Sequence, residues 1–591
     1  MKKTLLAALA LFLLVGVAVI LPLSSAHALS TFIAETETKI YIPAKSYGGY
    51  FMPTSNSAGA DHWVMDMMGQ VVHQWVGKTG VGNTNTPGLP GVKPEIAEDG
   101  TLWSAGFIQD WDGNVLWDFV PSRDLGVLDV DMPFHHDMKR IWNNKLQQWT
   151  QLIVSNRTRT QAEAAAAGGE PATPTSRLTG IDYIIEVSMA KKLVWKWDFL
   201  DHTCQSQFPT RPRYVSDVKT APGKFDVYWL TDNQRPQGQA GIVADWVHVN
   251  SVDYNDQTGH VVINPKHWSN FIVVDHDKTF VSTTDFAANI AAAAGPDGDI
   301  IYRWGNPSSY NAGAAPGWLS EGDSQMYGSH NIQWIRPYLW QRPHLATDNW
   351  QDPAAIYNNS AALPGAGNFI IFDNGCYNPT RTGSRVLEIN PLIGASGNVE
   401  STAGKYIDPL VAGYKAATGN YQRRISKQDV YSYQSTGMQS FYSSHISGVQ
   451  RLPNGNTNVM SGNQGLTFEV TPASQIVWQY QYPMGACAGQ TAQVAKVVAS
   501  DSANAFQIDD CYNKNQPSQF RVQRYGADHP AFKGRDMTPG STLTGLVPRL
   551  IGEGRTKYAN PTYFGFGYPP TGSTGGGGGG TGGSGGGGGG Y

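Results

Sequence analysis

The stretch SFYSSHISGVQRLPNGNTNVMSGNQGLTFEVTPASQIVWQY, at Ser440–Tyr480, contains four short apolar runs separated by turn residues. The runs start at Ile446, Thr457, Leu466 and Ile476, and Pro-Asn-Gly, Gly-Asn and Thr-Pro-Ala segments lie between them. Short apolar runs bounded by Gly, Pro and Asn are typical of strands joined by tight turns. The stretch therefore predicts one antiparallel meander, which is either a propeller blade or part of a β-sandwich.

The same unit recurs along the chain, and a repeat decides an architecture more firmly than any single strand does. An apolar run followed by an acid and a turn recurs as YIIEVSMA from Tyr183, FIVVDHDK from Phe271 and RVLEINPL from Arg385. Apolar residues followed by Trp-x-aromatic recur as LVWKWDF from Leu193 and IVWQY from Ile476. The recurring units are centred near residues 50–77, 100–120, 135–199, 245–306, 329–409 and 444–482. The expected fold is an all-β, six-bladed β-propeller of four-stranded antiparallel blades with loop insertions.

The two ends of the chain differ in composition from the predicted propeller. Residues 1–28 combine lysines, an apolar core and an Ala-His-Ala end, which is typical of a secretory signal peptide; an uncleaved membrane anchor is the alternative. The propeller is assigned to residues 37–570, with a last strand at Phe520–Gly526 that closes the ring, and residues 571–591 to a disordered glycine-rich tail. We therefore expect an exported protein, periplasmic or extracellular, with no membrane contact beyond export.

Composition limits the classes of function. The chain has 591 residues, with 43 Lys and Arg against 47 Asp and Glu, and the absence of a basic stripe argues against nucleic acid as a partner. No cysteine lies in a C-x-x-C pair, so a cysteine metal site is not predicted. Cys487 with Cys511 is the favoured disulfide, while pairings with Cys204 or Cys376 stay open. Gln161–Ser176 is small and polar, and we expect a surface insertion there rather than a structural element.

Histidines open several of the predicted first strands. His248, His330 and His445 each start such a strand, with an apolar residue four positions later, and His135 or His136 offers a fourth in a looser register. The first strand of each propeller blade lines the central channel, so side chains at one register converge on the axis. Any one of these histidines could instead tie neighbouring blades together by a hydrogen bond. Three at one register favour a shared pocket.

Three other features are weaker candidates. Arg381 and Arg385 follow Asp373-Asn374-Gly375, which indicates either an Asn-Gly hairpin turn with solvated arginines or an arginine that enters the channel and binds an oxyanion. His267 could support the site or lie on the surface. A metal ion held by the three imidazoles is a rival interpretation, but no neighbouring carboxylate is predicted to orient them, and no metal is assigned.

Six segments together resemble one protein family. The chain resembles the arylsulfotransferase family, the exported bacterial aryl-sulfate sulfotransferases and their relatives, from about Phe134 to Asp528. The segments that carry the resemblance are DWVHVNSVDYN at 245–255, PKHWSNFIVVD at 265–275, GSHNIQW at 328–334, FDNG at 372–375, SSHISGVQRLPNGN at 443–456 and RYGADHPAFKGRD at 524–536.

The resemblance implies an activity and a set of residues. The implied protein is a six-bladed propeller whose central pocket moves a sulfuryl group from a phenolic sulfate ester to a second phenol, with small phenols and their sulfates as partners and without a nucleotide donor, cofactor or metal. His445 is the implied nucleophile, which becomes transiently sulfated, and His248 and His330 flank it, one of them as acid and base. Arg381 is the implied oxyanion ligand. The predicted substrate-binding residues are Arg385, which is also the reserve for Arg381, together with His267 and His136.

Two other functions stay open at this point. One is a catalytically silent propeller that binds a ligand through its channel. The other is a quinoprotein-like oxidoreductase, suggested by the Trp-x-aromatic stripe, although the Asp-x-x-Thr-Gly-x-x-x-Trp form of those repeats is absent. Trp246, Trp268 and Tyr442 are predicted to lie at the mouth of the pocket, where they could stack on a phenyl ring. The oligomeric state stays open.

Overall fold

Six four-stranded antiparallel units form a β-propeller, as the sequence predicted. The computed structural model describes residues 38–55, 62–75, 93–128, 132–169, 180–229, 246–314, 322–336, 363–376, 383–400, 405–416, 424–434, 441–482 and 519–543. Everything below concerns these ranges. The predicted signal peptide, the glycine-rich tail, Arg381, Cys487 and Cys511 lie outside them.

The strands follow the chain blade by blade. After β1 (Thr38–Tyr41), blade 1 contains β2 (Tyr50–Ser55), β3 (His62–Asp66) and β4 (Val71–Trp75), and blade 2 contains β5 (Glu95–Ile96), β6 (Leu102–Ser104), β7 (Phe107–Gln109) and β8 (Val115–Asp118). Blade 3 contains β9 (Phe134–Asn143), β10 (Gln148–Arg157), β11 (Ile181–Ser188) and β12 (Leu193–Asp198), and the short pair β13 (Thr203–Cys204) and β14 (Phe225–Asp226) follows it.

The second half of the chain repeats this plan. Blade 4 contains β15 (Val249–Asn255), β16 (His260–Pro265), β17 (Phe271–Asp275) and β18 (Tyr302–Trp304). Blade 5 contains β19 (His330–Trp334), β20 (Phe369–Asp373) and β21 (Arg385–Ile389), then the hairpin β22 (Tyr414–Ala416) and β23 (Arg424–Ser426) intervenes before β24 (Asp429–Tyr433) completes the blade. Blade 6 contains β25 (Gly448–Arg451), β26 (Thr457–Ser461), β27 (Leu466–Val470) and β28 (Ile476–Gln481), and β29 (Gln519–Tyr525) comes last.

Both ends of the described chain contribute to closing the ring. The late strand β29 pairs with β2 and becomes the first strand of blade 1, with Tyr50 opposite Tyr525. The early strand β1 pairs with β28 and adds a fifth strand to blade 6. Each end of the described chain is thereby hydrogen-bonded into a blade formed by a distant part of the sequence. The closing strand predicted at Phe520–Gly526 is therefore present, one residue earlier at each end.

Helices are short and lie in the connections. The α-helices are Pro121–Asp124, Gln161–Ala166, His276–Thr279, Phe286–Ala293 and Pro409–Ala412, and the 3₁₀ turns are Phe199–His202, Val218–Thr220, Lys266–Trp268, Pro296–Gly298, Pro307–Tyr310, Gly462–Gln464 and Pro530–Phe532. The helix at Gln161–Ala166 corrects the expectation of an irregular insertion, since Thr160 and Glu163 form a capping box at its start. None of the described helices is long and apolar enough to span a bilayer.

Tryptophan rings fill the space between blades. Trp195, Trp197 and Trp478 are fully buried, as the Trp-x-aromatic pattern predicted for a core stripe. Trp246 and Trp268 are also fully buried, with ring centroids 5.2 Å apart. These two rings therefore belong to the core and not to the mouth of a pocket, which corrects the sequence prediction, because large aromatic rings gain more by burial between sheets than by lining a solvated rim.

Candidate active site at the propeller axis

Close to the start of four first strands, one residue lies in the left-handed backbone region. These residues are His136, His248, Asn331 and Ile446, with φ of 54°, 52°, 57° and 50°. A left-handed conformation costs a residue with a Cβ roughly 1–2 kcal/mol. His248 occupies this position itself, whereas His330 and His445 each precede it, so the three predicted histidines do not share one register. The imidazoles therefore approach the axis as two neighbouring groups.

The first group is the histidine triad, His135, His136 and His248, contributed by blades 3 and 4. His136 Nε2 lies 3.0 Å from His248 Nε2, and His135 Nδ1 lies 2.9 Å from a carboxylate oxygen of Asp182. All three rings are buried, and one ligand atom from each falls within 4.8 Å of the others. Burial and the neighbouring positive charges depress the pKa of His136 well below its usual range. His136 is therefore a neutral imidazole at neutral pH.

Two rings cover the triad. His267 stacks on His248 with ring centroids 4.9 Å apart, and Phe520 stacks on His136 at 5.7 Å. Phe520 comes from β29, so the strand that closes the ring also covers the site. His267 thus contacts the predicted site residue His248. This contact is what a supporting role for His267 requires.

His330 in blade 5 has both ring nitrogens engaged. Its Nδ1 donates to Asn374 Oδ1 at 2.6 Å, and its Nε2 accepts the backbone N–H of Ile446 at 3.1 Å. The amide of Asn374 in turn donates to the carbonyls of Ser443 and Ile446. His330 and Asn374 therefore hold the loop that carries His445. With neither nitrogen free in this geometry, His330 positions that loop rather than exchanging protons with a substrate.

His445 is partly exposed, unlike His135, His136, His248 and His330. Its Nδ1 lies 3.1 Å from Ser444 Oγ, which also accepts an N–H of Asn463 at 2.9 Å. Within the described ranges, no hydrogen bond reaches its Nε2. Burial, followed by the charges of Lys266 and His248, lowers the pKa of His445 to about 4. At neutral pH this ring presents an unprotonated nitrogen to the pocket.

Lys266 is a site residue that sequence reasoning missed. Its side chain is 3% exposed, and it forms no ion pair with any carboxylate in the part of the chain described. The positive charge of Lys266 lowers the pKa of both His330 and His445. Burying an ammonium group without a counter-ion costs folding free energy, and a bound anion would offset that cost. One sequence feature could have identified Lys266: it lies in the segment PKHW, directly before His267 and at the end of an apolar strand.

Arg521 on β29 is a second cation near the axis. Its guanidinium is 2% exposed and donates to the carbonyls of Ser447 and, at 3.0 Å, Asn250. Burial lowers the pKa of Arg521 to about 10, and its charge lowers the pKa of both His136 and His330. These backbone contacts join blades 1, 4 and 6 at the axis. Arg521 therefore holds three blades together through hydrogen bonds to backbone carbonyls, and it also places a positive charge near the triad.

Arg381 and Arg385 are the two arginines that the sequence offers as ligands for an oxyanion. Arg381 lies outside the described residues. Arg385 does not show the predicted role: its Nε donates to Asp373 at 2.8 Å and its Nη2 to the carbonyl of Gln325. Asp373 and Arg385 stand directly opposite each other in the β20–β21 ladder, so the carboxylate already neutralises the guanidinium. Arg385 therefore braces blade 5 through Nε and Nη2.

Two further buried histidines are engaged away from the axis. His276 lies between Glu186 and Asp277 at 2.8 and 2.9 Å, and the two carboxylates outweigh burial and raise the pKa of His276 to about 9. His202 stacks on Trp197 at 4.8 Å. Both residues hold blade 3 against blade 4 and its insertions.

Comparison with known proteins gives one family model and a number of distant solved structures. Residues 131–282 match the family model Arylsulfotransferase (ASST). No curated protein matches the chain. Solved structures with related chains include a protein of unknown function from Bacteroides caccae, at 8% identity and a TM-score of 0.30 over 74% of this chain and 94% of that one. A second, titled Streptogramin B lyase structure, has 7% identity and a TM-score of 0.27 over 75% of this chain and 85% of that one.

The family match has a definite place in the structure. Residues 131–282 contain the histidine triad, Lys266 and His267, whereas His330 and His445 follow the matched region. The match supports aryl sulfotransferase activity in general terms and small aryl molecules as substrates. Over residues 131–282, the predicted resemblance of this chain to the arylsulfotransferase family is confirmed.

Proposed function

We propose that the protein is an aryl-sulfate sulfotransferase that works by a ping-pong mechanism through a sulfated His445, with a phenolic sulfate ester as donor, a phenol as acceptor and no nucleotide sulfate. The observation that carries this proposal is the state of His445. It is a partly exposed, unprotonated imidazole whose Nε2 has no hydrogen-bond partner among the described residues. Its Nδ1 lies 3.1 Å from Ser444 Oγ, and in the tautomer whose Nδ1–H donates to that oxygen the lone pair lies on Nε2.

The first half-reaction transfers the sulfuryl group to the enzyme. The Nε2 lone pair of His445 attacks the sulfur of the bound ester and forms an S–N bond. The bond between sulfur and the aryl oxygen breaks, and its electron pair leaves with that oxygen. A phenolate has a conjugate acid with a pKa near 10, so a proton from His248 in its imidazolium form assists its departure. The phenol then leaves, and His445 carries the SO₃ group.

The second half-reaction reverses these steps with a different phenol. The acceptor gives its proton to the now neutral His248, and its oxygen attacks the sulfur. The S–N bond breaks, its electron pair returns to Nε2 of His445, and the new sulfate ester departs. We assign the acid and base role to His248 because both ring nitrogens of His330 are already engaged.

Charge stabilisation is assigned to Lys266. The three equatorial oxygens of a sulfuryl group in transfer carry negative charge, as those of a phosphoryl group do. Lys266 is a buried cation without a described counter-ion, and its charge reaches both His330 and His445. A well-placed donor in a desolvated site contributes about 3 to 4 kcal/mol to the transition state. Arg521 adds positive potential from the axis, while its N–H groups stay on carbonyl oxygens.

The proposed activity predicts acceptor-dependent turnover. Purified protein is mixed with 4-nitrophenyl sulfate, with and without a second phenol and with no nucleotide added. Without acceptor we expect one burst of nitrophenolate, about equal to the enzyme concentration, because the sulfated enzyme has nowhere to pass its group. With acceptor we expect continuous release and an equal amount of sulfated acceptor. Continuous release without acceptor would indicate a sulfatase instead, and binding without any release would indicate a silent propeller.

A general acid at His248 predicts an effect that depends on the leaving group. We expect His248→Asn to slow transfer from phenyl sulfate by about 10²-fold to 10³-fold, and transfer from 4-nitrophenyl sulfate much less, because nitrophenolate leaves without a proton. Asparagine tolerates the left-handed backbone that residue 248 requires. The measurement is the burst rate for a series of donors with graded leaving groups.

His330→Asn is the matched comparison for this series. His330 positions the His445 loop, so this variant should lose a similar factor with every donor. An equal loss across the donors for His248→Asn would remove His248 from the acid role.

Export to the periplasm or the cell exterior is part of the same proposal. It rests on the composition of residues 1–28 and is checked by locating the processed protein in cell fractions.

A further inference from the structure

The histidine triad has a second possible chemistry, which the sulfuryl transfer does not use. Its three buried imidazoles come from two neighbouring blades and offer ligand atoms within 4.8 Å of one another. Two of these residues, His136 and His248, hold the strained left-handed conformation. Strain of this kind is retained where the surrounding structure fixes a functional geometry. Three converging imidazoles are a ligand set for an ion that prefers nitrogen.

The distance between two of the imidazoles suits a transition-metal ion. Zinc binds imidazole nitrogen at about 2.0–2.1 Å, so two ligands at a near-right or tetrahedral angle have nitrogens about 3.0–3.4 Å apart. The Nε2 atoms of His136 and His248 lie 3.0 Å apart, at the lower end of that range. In the metal-free form one of these nitrogens donates its proton to the other. An ion between them would displace that proton.

Asp182 supplies the outer support that such sites use. Its carboxylate holds Nδ1 of His135 at 2.9 Å and accepts the backbone N–H of Val249 at 2.6 Å. Metal-binding histidines usually bind the ion through one ring nitrogen and donate from the other to a carboxylate. No sequence pattern indicated this carboxylate, because Asp182 lies on the third strand of blade 3 and meets His135 only across the sheet.

Charges of both signs lie beside the triad. The carboxylate of Asp182 lies 2.9 Å from Nδ1 of His135 and adds negative charge, and the positive charge of Arg521 opposes it. Nδ1 of His136 is buried and makes no hydrogen bond with the described residues, and an ion held at Nε2 leaves that nitrogen as it is.

We propose that His135, His136 and His248 bind one divalent transition-metal ion of the zinc class and leave at least one coordination position open. Imidazole ligands suit zinc, copper, nickel and cobalt, whereas magnesium and calcium prefer oxygen. Three protein ligands with an open position are the pattern of sites that bind a further molecule. On the proposed function, an ion here takes the lone pair of His248 and removes it from proton transfer. Metal occupancy therefore inhibits sulfuryl transfer.

The test measures metal binding directly. The full chain is stripped with a chelator, equilibrated with zinc or cobalt chloride, and separated from free ion by gel filtration. We expect about one ion per chain by elemental analysis, and the visible absorption of low-symmetry cobalt in the cobalt form. His136→Asn should lose both signals, and asparagine is chosen because it accommodates the left-handed backbone. The ion should also raise the melting temperature of the wild type and not that of the variant.

His445→Asn separates this proposal from the transferase proposal. It should retain the full metal stoichiometry while losing sulfuryl transfer, since His445 is not a member of the triad. Wild-type binding no greater than that of His136→Asn would overturn the metal site and leave the transferase untouched. The wild type could also bind one equivalent of metal and transfer no sulfuryl group. That result would support the metal site and overturn the transferase proposal.

Discussion

His445→Asn lowers sulfuryl transfer by roughly 10⁴-fold or more and abolishes the nitrophenolate burst, because the variant has no nitrogen nucleophile to accept the group. Asparagine keeps an amide near Ser444 Oγ, so the loop retains a partner at the place where Nδ1 of the imidazole lies. The expected loss is therefore chemical, and the melting temperature should stay close to that of the wild type. Stopped-flow absorbance of nitrophenolate measures the burst.

Mass spectrometry identifies the sulfated residue independently. Wild-type protein quenched after the burst should carry one SO₃ group on the peptide that contains His445, and His445→Asn should carry none. His73→Ala is the matched control: His73 lies on β4, the outermost strand of blade 1, where it stacks on Trp111 at 3.7 Å. This control should keep both the burst and the label. A label on another histidine, or a burst that survives in His445→Asn, would show that the nucleophile has been assigned wrongly.

The sequence was sufficient for the blades because their pattern is local. Strand runs, turns and the Trp-x-aromatic stripe each depend on a few neighbouring residues, so the repeat predicts the sheets of Ser440–Tyr480 and its counterparts. The convergence of His248, His330 and His445 followed from the fold alone, since first strands line the channel. Their exact register did not, because it depends on where each strand turns through a left-handed residue.

The charges of the site could not be predicted in the same way. Arg385 and Asp373 neutralise each other across two adjacent strands, and correct pairing of β20 with β21 would have shown this. Lys266 differs from Arg385 in having no carboxylate partner among the described residues, and this missing partner is what makes its charge important. A missing partner leaves no pattern in a sequence. It becomes visible only when every neighbouring blade has been placed.

Lys266→Met lowers kcat by about 10²-fold to 10³-fold while the sulfated intermediate still forms on His445. Methionine keeps an unbranched apolar stem that fits the same buried path, but it removes the ammonium that would bind the sulfuryl oxygens. The positive charge of Lys266 lowers the pKa of His445 in the wild type, so its removal raises that pKa. The acidic limb of the pH–rate profile should therefore move to higher pH.

Two results together distinguish a charge effect from a packing effect. Lys278→Met, at an exposed lysine paired with Asp297, is the matched control and should change neither kcat nor the pH profile. In Lys266→Met the fall in kcat and the shift of the acidic limb should occur together, because both come from one lost charge. A fall in kcat without that shift would mean that methionine disturbs the packing of the site. An unchanged kcat would remove Lys266 from the catalytic group and return the search for an oxyanion ligand to Arg381.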